Sequence, residues 1–379
     1  MEEFNRFCYL DVGSAELLLP EARAAWIAAS DLGLGDPRGL HHAARRAAQA
    51  LAAARQLTAD LVGARADEVI FLPSGAAAAR AAIAGLALGR RRVGTAIVAS
   101  AVEHSTVVDC AGAYGEARLA GVDAYGRVEL GRWDELVRSE GVALACLQAA
   151  NQEVGTRQPV TAAAQSCAAA GVPLVVDAGA VLGRDAGELG AWSALTAGAQ
   201  SFGGPPSVGL LVLRRGVRWR PPDPTDDYQD SRSLGAPDVP SVLAAVTALQ
   251  VMTVERESRA ARQAALIGLL RSELARIPDL DVIGDPVDRV PHLLTFSALY
   301  VDGETLVLEL DRAGFAVASG SACSARSETP SHVLAAMGAL THGNVRVGLA
   351  RDTTEADVRA FAAAVGPAVA RIRTALGAP

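Results

Sequence analysis

Short aliphatic runs alternate with longer segments of helical periodicity from about Leu40 to Leu213. The runs TAIVAS, VALACLQAA and VPLVVDAGA are rich in Val, Ile and Leu, as strands buried on both faces are. Helical patterns lie between such runs, for example HHAARRAAQALAAARQLTADLVGA, which contains a glycine near its end. This alternation predicts an α/β fold with a mostly parallel sheet covered by helices.

The pattern changes in the last third of the chain. Residues 218–240 are rich in proline and acidic residues, which predicts a surface loop. Residues 241–277 have the periodicity of one long helix, and a mixed α+β pattern follows them. We therefore expect a large domain over residues 15–255 and a smaller C-terminal domain over residues 256–379, to which residues 1–14 belong.

Charge and hydropathy exclude several classes of function. The chain has 379 residues, a net charge of −7 and 50% hydrophobic residues, values typical of a globular protein. It has no basic stripe, which argues against nucleic acid as a partner. No apolar run is long enough to span a bilayer, and MEEFNRFCYLD at the start is too acidic and polar for a signal peptide. We expect no membrane association and a cytoplasmic location.

Cysteine and lysine usage narrows the chemistry further. The five cysteines are scattered and never in CxxC spacing, which argues against a disulfide framework and against a metal site. Lysine and arginine together number 35, and all of them are arginines. The chain therefore has no lysine, and any reaction that needs a lysine amine is closed to it.

A series of short motifs follows the chain in a characteristic order. They are YLD, GDPRGLH, SGA, EHSTV, NQEVGTRQPV, VDAGA, SFGGPPSVG, SGSACSARSETPSHVLAAMG and NVRVGLARDTTEADV. In this order they resemble the cysteine desulfurases, which belong to the class V aminotransferases. The resemblance covers nearly the whole chain and implies the fold-type I fold of enzymes that use pyridoxal phosphate (PLP). In that family PLP forms a Schiff base with a lysine and then with free cysteine, and an active-site thiolate takes the sulfur as a persulfide.

The resemblance implies roles for residues that this chain keeps. His104 matches the histidine that stacks on the cofactor ring, and Asp177 matches the carboxylate at the pyridine nitrogen. Arg346 matches the arginine that binds the substrate carboxylate, with Asn151 as a further substrate contact. The residues alone leave alternatives open. His104 fits a polar residue after a strand, Asp177 fits any α/β ligand site, and Arg346 fits a surface salt bridge.

Cys323 is the sharpest match to the family pattern. It lies among small residues in the segment SGSACSARS, which contains nothing large enough to bury a thiol. A buried structural role is the usual one for cysteine. The neighbourhood instead favours an exposed, functional thiol at this position.

Other positions depart from the family pattern. Ser201 stands where the Schiff-base lysine would be, and Gln200 stands where a histidine would be. Contacts to PLP are also lost at Ala77, Gln152, Ala180, Gly198 and Ala236. Backbone N–H groups of Ser74, Gly75 and Ala76 at a helix start remain able to bind an anion. We therefore expect no covalent PLP, and weak binding of PLP or none.

Three functions fit this pattern. The first is a sulfur-transfer component that receives sulfur on Cys323 as a persulfide. The second is a pseudoenzyme that serves as a subunit or regulator of a desulfurase, and the third is an enzyme of altered chemistry in the emptied pocket. Retention of Cys323 favours the first, and desulfurase activity by this chain alone is not expected. We also expect a homodimer, with a desulfurase or a sulfur-acceptor protein as a further partner.

Overall fold

The computed structural model describes residues 7–185, 187–319 and 330–378. The strands in these ranges are β1 (Cys8–Tyr9), β2 (Val69–Leu72), β3 (Ala96–Ser100), β4 (Glu116–Ala120), β5 (Val142–Gln148), β6 (Leu174–Asp177), β7 (Ala194–Gly198), β8 (Gly209–Leu213), β9 (Leu280–Ile283), β10 (Leu293–Ala298), β11 (Phe315–Ala316) and β12 (Asn344–Gly348). The α-helices are α1 (Pro20–Asp31), α2 (His42–Val62), α3 (Gly75–Arg90), α4 (Ser105–Tyr114), α5 (Leu130–Val137), α6 (Val160–Ala170), α7 (Val239–Val254), α8 (Arg256–Leu274), α9 (Gly303–Arg312), α10 (His332–Ala336) and α11 (Glu355–Leu376). None of the helices within these ranges has an apolar stretch long enough to cross a bilayer.

A seven-stranded sheet has the order β2-β8-β7-β6-β5-β3-β4. Neighbouring strands from β4 to β7 run parallel, and β8 runs antiparallel to both of its neighbours. Every residue of β3, β5 and β7 is buried, because helices cover both faces of the sheet. The prediction of a mostly parallel sheet wrapped by helices is confirmed.

Two apolar cores lie against this sheet, one on each face. One face packs against α1, α2, α5, α6 and α7 through side chains such as Leu51, Trp133 and Leu249. The other packs against α3 and α4 through Ile83 and Leu86. Alanines supply much of both interfaces, so the helices lie close to the sheet and fix the loops at the strand ends.

The C-terminal part is built on smaller sheets. β10 pairs antiparallel with β9 and β12, while β1 pairs parallel with β11. Helices α8, α9 and α11 pack here around Phe296 and Phe361. The single helix predicted over residues 241–277 is two helices that meet at Glu255. They separate because apolar α7 packs on the large sheet and α8 on the small one. The domain division at residue 255 stays a prediction.

Candidate functional site

A cavity of about 370 Å³ lies where β5, β6 and β7 end. The carboxyl edge of parallel strands is where open α/β sheets bind ligands. The cavity is lined by these residues predicted from sequence: Gly75, Ala76, His104, Gln152, Asp177, Gln200, Ser201 and Arg346. Ser74 and Asn151 lie beside these lining residues in the chain, and Cys323 lies outside the described residues. The fold thus brings together residues that are far apart in sequence.

The first turn of α3 forms one wall of the cavity. Ser74 is the N-cap residue, and its hydroxyl accepts the N–H of Ala77 at 3.1 Å, so Ser74 holds the helix start. Gly75 and Ala76 line the cavity. N–H groups in a first helical turn have no partner within the helix, and they favour an anion. Close packing fixes this wall, since a Cβ on Gly209 would lie 1.9 Å from the carbonyl oxygen of Ser74.

Two buried carboxyl groups belong to this region. Asp177 lines the cavity, and its Oδ1 accepts the N–H of Gly179 at 2.8 Å. Burial raises the pKa of Asp177, against the lowering effects of the Gly179 bond and of His104. Burial, and secondarily the charge of Asp177, raises the pKa of Glu103 to about 8. Glu103 is therefore mainly protonated at neutral pH, and the pair carries at most about one negative charge there.

His104 is the N-cap residue of α4 and lines the cavity. Its Nδ1 accepts the N–H of Thr106 at 3.1 Å. In the neutral ring the proton therefore sits on Nε2, because the other nitrogen acts as an acceptor. Nε2 is the nitrogen left to exchange a proton with a ligand.

Ser201 and Gln200 lie in the 3-10 turn Ala199–Phe202 that follows β7. The Ser201 hydroxyl donates to the carbonyl oxygen of Gly198 at 2.7 Å. The carbonyl oxygen of Ser201 accepts from Arg184 Nε at 2.5 Å. Gln200 Oε1 is buried without a hydrogen-bond partner in the described part of the chain. The turn presents a hydroxyl and an amide where the resemblance implies an amine.

Arg346 forms an ion pair within the cavity wall rather than on the surface, since only 3% of it is exposed. Its Nη2 donates to Ser14 Oγ at 2.6 Å and to Asp11 Oδ1 at 3.2 Å. Its Nη1 donates to the carbonyl oxygen of Gln152 at 3.3 Å. A ligand carboxylate bound at Arg346 would share this guanidinium with Asp11.

Asn151 is fully buried but does not line the cavity. Its Nδ2 donates to the carbonyl oxygen of Val102 at 2.9 Å. Its Oδ1 accepts the N–H groups of Glu153 at 2.8 Å and Val154 at 2.9 Å. These bonds stabilise the turn that presents Gln152, so the geometry gives Asn151 a positioning role. The predicted contact with substrate finds no support in it.

The cavity residues that were not anticipated from the sequence include Thr196, Arg184 and His292. Each has a buried polar atom without a hydrogen-bond partner among residues 7–185, 187–319 and 330–378. Arg184 Nη2 donates to Glu16 Oε2 at 3.0 Å, and 168 positions separate the two residues. No local sequence pattern predicts such a pair, because the tertiary fold brings its two residues together.

Comparison with known proteins identifies the family of this chain. The aminotransferase class-V family matches residues 9–361. A cysteine desulfurase from Cereibacter sphaeroides is 32% identical, with 96% of each chain covered. An IscS-like cysteine desulfurase from Mycobacterium tuberculosis is 35% identical, with 97% of each chain covered.

Solved structures have the same fold. A NifS-like protein superposes with a TM-score of 0.87 at 24% identity, covering 98% of this chain and 99% of the other. DndA from Streptomyces lividans superposes with a TM-score of 0.74 at 27% identity, covering 90% of this chain and 99% of the other. The first of these likenesses concerns the fold alone.

The comparisons overturn one expectation. From the sequence we expected PLP to bind weakly or not at all. The relatives are cysteine desulfurases, a class that depends on PLP, and they suggest PLP as the cofactor of this chain. That expectation is therefore wrong.

The residues of the cavity fit this cofactor. The start of α3 suits its phosphate, and Asp177 suits a protonated pyridine nitrogen. Oε1 atoms of Gln152 and Gln200, buried and unpaired within the described ranges, are acceptors for its polar groups. The chain has no lysine, so these contacts would hold the cofactor in place of a lysine Schiff base.

Family match, sequence relatives and fold agree over nearly the whole chain. The chain belongs to the aminotransferase class-V family, as a member of its cysteine desulfurase branch.

Proposed function

We propose that this protein is a sulfur-transfer component that carries sulfur on Cys323 as a persulfide. The observation that carries the proposal is that the described residues on either side of the Cys323 segment are hydrogen-bonded to the cavity region. The N–H of Ala318 donates to the carbonyl oxygen of Arg346 at 3.3 Å, and the N–H of Arg346 donates to that of Ala318 at 2.7 Å. Arg346 lines the cavity.

Residues that follow the Cys323 segment are anchored in the same region. The Ser331 hydroxyl donates to Glu153 Oε2 at 2.6 Å. His332 Nε2 lies 2.8 Å from the carbonyl oxygen of Glu103, which precedes the cavity residue His104. Cys323 is five positions beyond Ala318, a span of at most about 18 Å of extended chain. This reach supports a thiol that serves the cavity and also meets a partner protein.

The transfer step needs no other reagent than a persulfide donor, such as the persulfide of an active desulfurase. The Cys323 thiolate attacks the terminal sulfur of the donor persulfide. The donor S–S bond breaks, an S–S bond forms on Cys323, and the donor cysteine leaves as a thiolate. Sulfur moves without net oxidation or reduction.

The cavity residues have separate tasks in this account. The α3 start and Asp177 would hold PLP, His104 would exchange protons through Nε2, and Arg346 would bind a ligand carboxylate. When bound, PLP supplies an electron-withdrawing ring that stabilises negative charge on an attached carbon. Without a lysine amine, turnover of free cysteine by this chain alone is not part of the proposal.

We also propose a homodimer in the cytoplasm. Trp26 and Ile27 of α1 are 44% and 39% exposed, and large apolar groups at a surface favour an interface. The four cysteines in the described ranges are free thiols, as is usual in a reducing compartment.

Transfer of radiolabelled sulfur tests the function. The protein is incubated with an active cysteine desulfurase and labelled cysteine. The two proteins are then separated without reductant, and the label bound to this chain is measured. We expect label on the natural chain, and none on the Cys323→Ser variant. The Cys8→Ser variant is the matched control and should keep the label, since burial raises the pKa of Cys8 to about 11. Equal labelling of the natural chain and the Cys323→Ser variant would refute the proposal of a sulfur carrier and would favour a pseudoenzyme.

A further inference from the structure

Two arginines and a histidine form a buried basic cluster, Arg184, Arg259 and His292, next to and partly lining the cavity. Each is 3% exposed or less. Arg184 and His292 line the cavity, and the charge of Arg259 acts on both. Buried charges are stable when they are paired and hydrogen-bonded. The pairing in this cluster is incomplete.

Several nitrogens of the cluster have no hydrogen-bond partner in the described part of the chain: Arg184 Nη1, Arg259 Nε, Arg259 Nη1 and His292 Nδ1. The other nitrogens of Arg184 are occupied, Nε by the carbonyl oxygen of Ser201 and Nη2 by Glu16. The free end of Arg184 is thus a charged donor in a wall of the cavity, with 1% of its side chain exposed.

The carboxylates around the cluster are engaged elsewhere in the network. Glu16 is a fully buried carboxylate that pairs with Arg184 at 3.0 Å. Arg259 forms an ion pair with Glu255 at 3.8 Å. Glu255 also pairs with Arg351, at 2.5 Å. Burial, and then the charge of Arg184, lowers the pKa of Arg259 to about 10, so it stays charged at neutral pH. Arg351 also pairs with Glu21 at 2.9 Å, so the nearby carboxylates match the arginines in number. The cluster therefore lacks hydrogen-bond partners at its free nitrogens and not overall charge.

We infer that Arg184 and His292 form an anion-binding position in the cavity wall, which takes the carboxylate group of a small-molecule ligand. A monoanion suits this position better than a phosphate dianion, because burial of a second negative charge costs more free energy. The two oxygens of a carboxylate also match one guanidinium nitrogen and one imidazole N–H.

This position differs from the other anion-binding groups of the cavity. Arg346 already donates to Asp11, Ser14 and the carbonyl oxygen of Gln152. The start of α3 offers backbone N–H groups, which suit a phosphate. The inference does not depend on the proposed function, since it concerns binding of a carboxylate and not transfer of sulfur.

Propionate and propionamide are the probes, because they have nearly the same shape and differ in charge. Imidazole resonances of the histidine-labelled protein are followed by NMR during titration with each probe at constant ionic strength. We expect propionate to shift the His292 resonances in a saturable way and propionamide to leave them unchanged. Equal responses to both probes, or none at His292 with propionate, would overturn the inference.

Variants locate the response. The double change Glu16→Gln with Arg184→Gln removes the pair without leaving a buried charge alone, and it should weaken propionate binding at least about tenfold. Arg359→Gln on the exposed face of α11 is the matched control, and its His292 response should keep the affinity of the natural chain. Loss of the His292 response in Arg346→Gln but not in the double variant would assign the anion to Arg346 and refute the inference. If the double variant does not fold, the two probes on the natural chain still decide.

Discussion

The pH dependence of stability should change when Glu103 becomes glutamine. Burial raises the pKa of Glu103 from 4.5 to about 8, with Asp177 as the secondary cause. Because the pKa of Glu103 is raised in the folded state, its contribution to stability is complete when the pH is below the pKa in the unfolded chain. This contribution is lost as the pH rises to the pKa in the folded chain. In the natural chain this group therefore makes unfolding easier as the pH rises from about 5 to about 8.

The magnitude follows from the size of the shift. Each pH unit between the two pKa values changes the free energy of unfolding by about 1.4 kcal/mol, which amounts to about 4 kcal/mol over this range. Glutamine cannot ionise, and its Oε1 can still accept the N–H of Gln148, as Glu103 Oε1 does at 2.5 Å. Its unpaired amide N–H groups shift the stability by a constant amount and leave the slope unaffected.

Urea unfolding at a series of pH values tests this reasoning. We expect the difference in free energy of unfolding between Glu103→Gln and the natural chain to increase by about 4 kcal/mol from about pH 5 to about pH 8. Glu68→Gln is the control, because burial raises the pKa of Glu68 but is outweighed by the backbone N–H groups of Arg215 and Arg65, so the pKa is lowered. Glu68→Gln should therefore lower stability by a nearly constant amount over this range. Parallel curves for Glu103→Gln and the natural chain would refute the reasoning.

Four further predictions concern the cavity wall, a control position in α4, the thiols and assembly. Gly209→Ala should lower the free energy of unfolding by about 3 kcal/mol in urea titrations, because its Cβ meets the carbonyl oxygen of Ser74 at 1.9 Å. Gly112→Ala in α4, with open space around it, should raise the same quantity by about 0.5–1 kcal/mol. Limited alkylation with mass mapping should label Cys323 before Cys146, since burial raises the pKa of Cys146 far above its ordinary range. Light scattering should give the mass of a dimer, and a stable monomer would contradict that prediction.

Much of the fold follows from local patterns. The aliphatic runs of β3, β5 and β6 announce buried parallel strands, because their residues are apolar on both faces. The anion-binding start of α3 and the carboxylate of Asp177 follow from their places at the carboxyl ends of strands. These features depend on residues close together in the sequence.

Other features depend on tertiary contacts and could not be predicted. The pair of Glu16 with Arg184 joins residues 168 positions apart. Asn151 contains the right polar group, but neighbouring backbone atoms take up its side chain. The expectation that PLP binds weakly or not at all was based on side-chain contacts that this chain lacks. It neglected the backbone N–H groups and buried polar atoms that remain in the cavity.

Peptide mass mapping tests the central claim most directly. Trypsin cleaves this chain after arginine, and the peptide of residues 313–326 contains one cysteine, Cys323. After incubation with a persulfide-loaded cysteine desulfurase and alkylation without reductant, we predict that this peptide gains the mass of one sulfur atom. We also predict that added reductant removes that sulfur. The account would be contradicted if the 313–326 peptide stayed unmodified while the desulfurase lost its persulfide sulfur to another cysteine of this chain.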